Sequence, residues 1–120
     1  MKVIVAGSRS ITRLTLVSKA IADSDFEVTE IVSGCARGVD RLGEQWANYN
    51  DIPIHYFPAD WDQYGKSAGY RRNEEMAEYA DALVAVYDGF SLGTQHMIQL
   101  ANTHHLKVYV QTKPFDKRME

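Results

Sequence analysis

The chain has 120 residues, of which 45% are apolar and 24% charged, the proportions of an ordinary globular protein of one domain. Its formal net charge of −3 argues against a protein that coats nucleic acid through bulk charge. The single cysteine, Cys35, excludes an internal disulfide and suits a reducing compartment. The chain has no charged and apolar leader and no bilayer-spanning apolar run of roughly 18 to 20 residues, so we expect a cytoplasmic protein.

Apolar runs and amphipathic stretches alternate along the chain. Runs of β-branched residues predict five strands, at residues 2–7, 28–34, 52–57, 81–89 and 107–112. Apolar residues at helical spacing predict helices at 11–24, 70–80 and 93–105, and a further helix that buries Val39, Leu42 and Trp46 and exposes Arg41, Glu44 and Asn48. We expect a long loop at 58–69, and a frayed tail at 113–120 after a domain of residues 1–112.

This alternation predicts an α/β fold. We expect a Rossmann-like three-layer sandwich, with a five-stranded parallel sheet of order 3-2-1-4-5 and helices on both faces. A flavodoxin-like order, 2-1-3-4-5, is the alternative. The segment 81–89 is the most apolar run and predicts a central strand. Ligands of such sheets bind beyond the carboxyl ends of the strands, where the strand order reverses.

Unusual residues concentrate in the loops that follow the first four predicted strands, at 7–10, 33–40, 58–73 and 88–94. Glycine in such a loop lets backbone N–H groups converge on phosphate oxygens beside a helix N-terminus. The candidate backbone and hydroxyl donors are Gly7, Ser8, Ser10, Ser33, Gly34, Gly38, Gly93 and Thr94. The candidate cations are Arg9, Arg37, Arg41, Lys66, Arg71 and Arg72. This set favours a compact anionic ligand.

Aromatic and acidic residues of the same loops suit the rest of a nucleotide. Trp61, Tyr64 and Tyr70 could stack on a base or cover the pocket. Asp40 and Asp60 could accept hydrogen bonds from ribose hydroxyls.

Each of these residues also has a structural explanation. Glycines after strands form turns and helix ends, and Ser33 and Thr94 are candidate helix caps. Asp40 could favour the N-terminal dipole of its own helix. Arg71 and Arg72 could lie on a solvated helix face paired with nearby glutamates. The functional interpretation therefore depends on four such loops meeting at one edge of the sheet.

Other site chemistries find little support in the sequence. The four histidines lack zinc-type spacing, so we predict no metal site and no cofactor. Cys35 lies near a helix start, where a thiolate is favoured, but no histidine stands nearby in sequence to activate it. The chain has neither the P-loop motif nor the G-x-G-x-x-G dinucleotide fingerprint.

Four segments in this order resemble the YspA-like branch of the SLOG superfamily. They are VIVAGSRS, VSGCARGVDRLGEQWA, PADWDQYGKSAGYRRNEEMA and DGFSLGTQHMIQLA, and they span residues 3–101. The resemblance implies a Rossmannoid fold and binding of nucleotides or nucleotide-derived ligands. The superfamily includes the Lonely Guy phosphoribohydrolases and the DNA-processing protein A family, which binds single-stranded DNA.

The resemblance also implies site residues. SGCARGVD is similar to a loop motif of the DNA-processing proteins, which assigns ligand binding to Ser33, Gly34, Arg37, Gly38 and Asp40. The RRN segment adds Arg72 and Asn73. DGFSLGT stands in the place of the Lonely Guy PGGxGTxxE motif and matches it at Gly89, Gly93 and Thr94.

One departure from the Lonely Guy motif bears on catalysis. The residues that follow Thr94 are Gln95, His96 and Met97, so the catalytic glutamate of that motif is absent. A hydrolase of this sequence would need another acid, for which the candidates are Asp40, Asp60, Glu74 and Glu75.

We therefore expect a domain that binds a nucleotide of the AMP, NAD or ADP-ribose type, as a sensor, a sequestering domain or a processing domain. Backbone amides of Gly7–Ser10 and Ser91–Thr94 would hold a phosphate, and the Trp61–Tyr64 loop would close over the base. The cations at this edge would be Arg9, Arg37 and Arg72, in one electropositive hollow.

Two other functions stay open at this point. One is a nucleoside 5′-monophosphate phosphoribohydrolase, with Arg72, Asp40 and Glu75 as candidate catalytic residues. The other is single-stranded DNA binding, which the net negative charge disfavours. Relatives that pair through helices suggest a homodimer or higher homo-oligomer, and no membrane partner is expected.

Overall fold

The computed structural model describes residues 1–112, so the tail predicted at 113–120 lies outside the described residues. The five strands are β1 (Lys2–Gly7), β2 (Glu30–Ser33), β3 (Ile54–Tyr56), β4 (Ala82–Tyr87) and β5 (Lys107–Thr112). The helices are α1 (Leu14–Ser24), α2 (Val39–Tyr49), α3 (Trp61–Tyr64), α4 (Ala68–Tyr79) and α5 (Leu92–Thr103). A 3-10 turn (Gly65–Ser67) joins α3 to α4.

The five strands form one parallel sheet of order β3-β2-β1-β4-β5. On one side of β1, Ile4 pairs with Val32 of β2, and on the other side it pairs with Leu83 of β4. The predicted order 3-2-1-4-5 is thus confirmed, and the flavodoxin-like alternative is wrong. The chain reverses its direction of growth at β1, because it adds β2 and β3 on one side before it crosses to β4.

Helices cover both faces of the sheet, as the sequence predicts. On one face, α1 and α2 bury residues such as Val17 and Leu42 against Val5 and Val84. On the other face, helices α4 and α5 pack against the sheet and form a second core. Its buried residues include Ile4, Val32, Met76, Leu83, Ala85 and Met97. The strand β4 lies between β1 and β5 and is buried from Ala82 to Val86, in keeping with its apolar sequence.

Several element bounds differ from the predicted ones. The helix α1 begins at Leu14 and not at residue 11, because the chain from Ser8 first folds back through a hydrogen bond from Ile11 N to Ser8 O. The strand β3 is short and half exposed, since it lies at the edge of the sheet. Glu44 is buried and not open to water, because its carboxylate accepts a hydrogen bond from the buried Ser33 hydroxyl.

The predicted loop at 58–69 contains helix. Asp60 caps α3 by accepting a hydrogen bond from Gln63 N at 3.1 Å. Separately, within residues 1–112, none of the helices has both the length and the apolar composition needed to cross a lipid bilayer.

Candidate functional site

A cavity of about 430 Å³ opens beyond the carboxyl ends of β1 and β4. This is the point where the strand order reverses, the position at which ligands of open parallel sheets bind. The lining residues come from the loops after β1, β2 and β4 and from α2, α4 and α5. They are Ala6, Gly7, Ser8, Arg9, Ser10, Ala36, Asp40, Arg72, Asn73, Met76, Asp88, Ser91, Gly93, Thr94 and Met97.

The loop after β1 is fixed by backbone contacts. A Cβ atom on Gly7 would lie 1.8 Å from the carbonyl oxygen of Val86, so only glycine fits between β1 and β4 here. Ser8 is buried, and its hydroxyl accepts a hydrogen bond from Asp88 N at 3.0 Å. The carbonyl of Ser8 accepts from Val39 N at 3.3 Å, which joins this loop to the start of α2. The rigid turn carries Arg9 to the cavity wall.

The N-terminus of α5 forms a second wall. The Asp88 carboxylate accepts hydrogen bonds from Phe90 N and Ser91 N at 2.8 and 3.1 Å, which fixes the approach to the helix. The Ser91 hydroxyl then caps α5 by accepting from Thr94 N at 3.3 Å. Helix geometry leaves the N–H of Gly93 without an intrahelical acceptor. This helix end can therefore donate to an anion in the cavity.

The loop between β2 and α2 contributes a buried carboxyl group. Asp40 is 5% exposed and accepts a hydrogen bond from Ala36 N at 3.3 Å. Burial raises its pKa from 3.8 to about 6, although the Ala36 N–H and the nearby Arg72 guanidinium favour the ionised form. Asp40 therefore changes charge close to neutral pH.

Arg72 reaches the cavity from α4 and contacts the loop after β2. Its Nη1 donates to the carbonyl oxygen of Gly34, and its Nε donates to Asn73 Oδ1 at 3.0 Å. Burial lowers the pKa of Arg72, while the Asp40 charge favours the protonated guanidinium. A guanidinium has five N–H donors, so these two contacts leave donors that can face a ligand.

Asn73 of α4 is buried, and its side chain connects α4 to α5. Its side-chain amide donates to the carbonyl oxygen of Gly93 at 3.3 Å and lies 3.2 Å from His96 Nδ1. Burial lowers the pKa of His96, and Tyr70 packs edge-on against its ring with centroids 4.5 Å apart. A neutral His96 that accepts at Nδ1 completes this arrangement, which fixes the distance between Arg72 and the N-terminus of α5.

A second cavity of about 250 Å³ adjoins the first. Both cavities are lined by Arg9, Ala36 and Arg72, so these residues form a common boundary. The other residues that line the second cavity are Gly34, Cys35, Arg41, Pro58, Ala59 and Trp61.

The family model for the YspA, cpYpsA-related SLOG family (YAcAr) matches residues 1–64. The gene 61 protein of Mycobacterium phage D29 is 37% identical over 112 residues, in a match that covers 83% of this chain and 87% of that protein. The chain belongs to the YspA, cpYpsA-related SLOG family. The predicted resemblance to the YspA-like branch of the SLOG superfamily is thereby confirmed.

A solved structure shares the fold of this SLOG chain. The X-ray structure of DNA processing protein A (DprA) from Streptococcus pneumoniae matches with a TM-score of 0.70 at 20% sequence identity. The match covers 98% of the SLOG chain but only 52% of the DprA chain, so this chain spans about half the length of that protein. The likeness establishes the common Rossmann-like architecture.

The SLOG fold brings many of the predicted site residues to the two cavities. Those on the first cavity are Gly7, Ser8, Arg9, Asp40, Arg72, Asn73, Ser91, Gly93 and Thr94, and those on the second also include Gly34 and Trp61. The four segments of the resemblance thus meet at one edge of the sheet, as the alternation predicts.

Other predicted site residues lie outside these cavities. Arg37 is exposed and lines neither of them, so the expected hollow shared by Arg9, Arg37 and Arg72 contains only the first and third. Tyr64 packs its ring under Arg71 at 4.3 Å, away from both cavities. The segment Trp61–Tyr64 is a helical turn and not a loop that closes over the first cavity.

The remaining candidates that line neither cavity have structural roles or exposed positions. Ser33 is fully buried and donates to Glu44 Oε2 at 2.6 Å. Gly38 has a φ of 75° and approaches Ser8 O so closely that a Cβ would lie 2.3 Å away. Asp60 caps α3, and Gly89, at a φ of 92°, turns the chain after β4. Glu75 is exposed and outside both cavities.

Sequence reasoning missed two acidic residues at this edge. Asp88 lines the first cavity, and the D-G-F-S segment after a strand is a signal for the turn that its carboxylate makes. Glu44 lines neither cavity, but it forms an ion pair at 3.0 Å with Arg41, which lines the second cavity. The first cavity therefore combines two guanidinium groups, Arg9 and Arg72, with two carboxyl groups, Asp40 and Asp88.

This combination suits an anionic ligand that also carries hydroxyl groups. Guanidinium groups and helix N–H donors bind phosphate, whereas carboxylates accept hydrogen bonds from ribose. Among residues 1–112, no group of three or more His, Cys, Asp or Glu side chains is arranged to hold a metal ion.

Proposed function

We propose that this SLOG domain binds a nucleotide in the cavity at the carboxyl ends of β1 and β4. The observation that carries the proposal is the meeting of Arg9, Arg72 and the N-terminus of α5 around one cavity of about 430 Å³. This volume lies in the range of small-molecule sites, about 300 to 1,000 Å³. Membership of the SLOG family supports a nucleotide-related role.

The phosphate would lie between the loop after β1 and the start of α5. Backbone N–H groups near Gly93 and the positive end of the helix dipole would donate to its oxygens. Arg9 and Arg72 would neutralise its charge from the opposite side. Arg72 already has two of its donors anchored, on Gly34 and Asn73, so it would lose little side-chain entropy on binding.

The nucleoside would occupy the rest of the first cavity. Asp40 and Asp88 supply acceptors for ribose hydroxyls. Met76 and Met97 are 1% exposed and give the cavity an apolar floor for a base. Methionine adapts its shape and makes favourable sulfur contacts with aromatic rings.

A panel of ligands tests this proposal by thermal shift and isothermal titration calorimetry. The panel contains AMP, ADP, NAD, ADP-ribose and cyclic nucleotides, with adenosine as the control that lacks phosphate. A ligand present at 100 times its Kd stabilises the protein by about 2.7 kcal/mol, a shift that is easily measured. A panel in which no phosphate-bearing compound stabilises the protein would overturn the proposal.

A matched pair of arginine variants localises the binding. Arg72→Ala removes a cavity guanidinium, whereas Arg13→Ala removes an exposed guanidinium at the start of α1. We expect the first variant to weaken AMP binding at least tenfold and the second to leave it within about twofold, because only Arg72 lines the cavity. Equal loss in both variants would indicate attraction by overall charge.

Hydrolysis of a nucleoside 5′-monophosphate is the second candidate function, and Asp40 favours it. This buried carboxyl group lines the cavity, and its pKa of about 6 suits general acid–base chemistry. Chromatographic detection of free base from AMP tests it. Asp40→Asn should abolish base release while AMP binding persists, and a constant rate in this variant would exclude Asp40 from the reaction.

Three expectations from the sequence stay predictions. Homo-oligomerisation is measurable by sedimentation equilibrium, and a cytoplasmic location by fractionation of cells. Single-stranded DNA binding would show itself by a steep fall of log affinity against log salt concentration.

A further inference from the structure

The loop after β4 presents two large apolar side chains to solvent, Phe90 and Leu92, which we call the apolar knob. Phe90 is 82% exposed and Leu92 is 71% exposed, and neither lines the two cavities at this edge. The turn that carries them is fixed, because the Asp88 carboxylate accepts a hydrogen bond from Phe90 N at 2.8 Å. A second bond, from Gln95 Nε2 to Gly89 O at 3.1 Å, ties the turn to α5. Apolar side chains held outward in this way suit insertion into an apolar hole of a partner.

A third cavity, of about 270 Å³, lies at the opposite end of the molecule. The loop between α1 and β2 forms part of it, so it lies at the amino ends of the strands, whereas the knob lies at their carboxyl ends. Its lining is mainly apolar and includes Ile21, Ala22, Asp25, Phe26, Val28 and Trp46.

The third cavity has a fixed floor and an open rim. Phe26, Val28 and Trp46 are partly buried and pack against the core between the sheet and α1 with α2. Ala22 of α1 is exposed at the rim. Tyr49 follows Trp46 by three residues and therefore lies on the same side of α2, where it is 78% exposed. The cavity thus continues into an exposed aromatic surface that is large enough to receive an apolar side chain.

The surface beside the third cavity is acidic. Its exposed carboxylates are those of Asp23, Asp25 and Glu27. The cations there are Lys19, which pairs with Asp23 at 2.7 Å, and the amino group of Met1, which donates to the backbone carbonyl of Glu27. Carboxylates are therefore in excess around this apolar hole.

The surface beside the knob is basic. The loop after β1 contacts the loop after β4 through the hydrogen bond from Asp88 N to the Ser8 hydroxyl. This loop, residues 8–13, carries the exposed Arg9 and Arg13 and no carboxylate. The two ends of the molecule therefore have complementary surfaces: a knob beside cations at one end and a hole beside carboxylates at the other.

From these observations we propose that the chain associates head to tail with further copies of itself. Phe90 and Leu92 of one protomer enter the third cavity of the next and pack on Phe26, Val28 and Trp46. Burial of one aromatic side chain removes about 150 to 250 Å² of surface from water. The arginines beside the knob then face the acidic surface of the neighbouring protomer, which selects the orientation.

This interface joins two different surfaces of the chain, so it is heterologous. Each added copy brings one unused knob or one unused cavity to the end of the assembly, and association continues into a filament or closes into a ring. The inference goes beyond the proposed function, because neither the knob nor the third cavity belongs to the nucleotide site.

Sedimentation velocity on the full chain, without nucleotide, tests the proposal. We expect the average mass of wild type to rise with protein concentration past that of a dimer. Phe90→Ser in the knob and Ala22→Arg in the cavity should each weaken this association about tenfold or more, because an anchor residue in a pocket dominates an interface. Both positions are exposed, so the variants should fold. Tyr56→Ser, which removes a half-exposed ring from the edge strand β3, is the control and should behave as wild type.

A mixture of the two variants distinguishes a heterologous interface from a symmetric one. Phe90→Ser retains an intact cavity, and Ala22→Arg retains an intact knob. Mixed in equal amounts, they should form a heterodimer that grows no further, because the single pair of intact surfaces is then used. Native mass spectrometry with one variant isotopically labelled identifies this species.

Every other result of these experiments overturns the proposal. A wild type that stays monomeric at all concentrations shows that knob and cavity do not meet. An assembly that both variants leave intact uses another surface, and a mixture that forms no heterodimer shows that the two surfaces are not partners. Binding of AMP is measured separately, so the proposed function and this inference can fail independently.

Tryptophan fluorescence reports directly on the third cavity. The chain has two tryptophans, of which Trp46 lines this cavity. In a Trp61→Phe variant, Trp46 is the only tryptophan, and its emission should change as the protein concentration rises. The same change should be absent when Phe90→Ser is added. Constant Trp46 emission while the sedimenting mass increases would contradict the proposal.

Discussion

The guanidinium of Arg72 in α4 donates a hydrogen bond to the backbone carbonyl of Gly34, 38 residues earlier in the chain. This bond connects the loop between β2 and α2 to α4, which packs on the face of the sheet opposite to α2. A Cβ on Gly34 would lie 2.8 Å from Asp40 Oδ2 and 2.9 Å from Arg72 Nη1, so a side chain here would displace both of these groups from their present positions. The contact places a cation between the two cavities and fixes its direction.

Replacing Arg72 tests this relationship. Arg72→Ala should weaken AMP binding about tenfold to a hundredfold, since a charge-assisted hydrogen bond contributes about 1.5 to 3 kcal/mol. Arg72→Lys keeps the charge but lacks the planar fork that holds Gly34 and a ligand together, so it should recover only part of the affinity. Calorimetry at constant salt measures both variants. Full recovery by lysine would show that charge alone matters at this position.

Asp40→Asn should change the pH dependence of stability. The folded chain holds this carboxyl at a pKa of about 6, above its ordinary 3.8, so between these values it binds more protons than the unfolded chain. Wild-type stability therefore falls as the pH rises through this window, by about 3 kcal/mol at most from this group. The variant lacks this loss. The free energy of unfolding of Asp40→Asn minus that of wild type, measured by urea denaturation, should therefore increase between about pH 4 and pH 7.5.

A control separates the Asp40 effect from the loss of one negative charge. Asp23→Asn removes a carboxylate that forms an exposed ion pair with Lys19 on α1, at 2.7 Å. Exposed pairs contribute about 0 to 1 kcal/mol, so this variant should remain close to wild type. If the difference between Asp40→Asn and wild type does not vary with pH, the carboxyl does not titrate in the folded protein as described.

Ser91→Ala should affect both stability and binding. The hydroxyl caps α5 through Thr94 N, and loss of such a cap costs about 1 kcal/mol. Because the same helix end faces the cavity, AMP affinity should fall as well. Thr103→Ala, at the other end of α5, removes a hydroxyl that donates to Gln99 O and should leave the affinity unchanged. Urea denaturation measures the effect on stability, and calorimetry measures the effect on AMP affinity. An AMP affinity of Ser91→Ala equal to that of wild type would show that the cap does not order the site.

Two cavity glycines should respond differently to alanine. Gly7→Ala places a Cβ 1.8 Å from the Val86 carbonyl oxygen, so the β1–β4 pairing must shift, with a loss of about 3 kcal/mol or more. Gly93→Ala meets no atom within 4 Å and improves helix propensity, so stability should rise by up to about 1 kcal/mol. Thermal denaturation by circular dichroism measures both. A stable Gly7→Ala variant would contradict the description of this strand pair.

The strands were predictable because their signals are local. Each strand is a short β-branched run, and the alternation with helices admits few topologies. The α3 turn was missed because four residues are too few to show apolar periodicity. The pattern from Asp60 to Gln63, an N-cap acceptor three residues before glutamine, is the signal that could have revealed it.

Side-chain direction was the part of the site that the sequence did not determine. Arg37 and Arg72 both lie in loops or helices at the correct edge, yet only Arg72 points into a cavity. Glu44 looked like a solvent-facing helix residue, because helical spacing does not show that Ser33 of β2 would cover it. The structure was therefore needed to identify the side chains that line the cavity, whereas the position of the cavity followed from the strand order.

The central claim is that Arg9, Arg72 and the start of α5 together hold a phosphate. A crystal structure of the protein grown with ADP-ribose measures this most directly. We predict phosphate oxygens about 2.7 to 2.9 Å from guanidinium nitrogens of Arg72, beside the start of α5. An occupied structure in which the ligand phosphates lie away from both Arg9 and Arg72 would contradict the account.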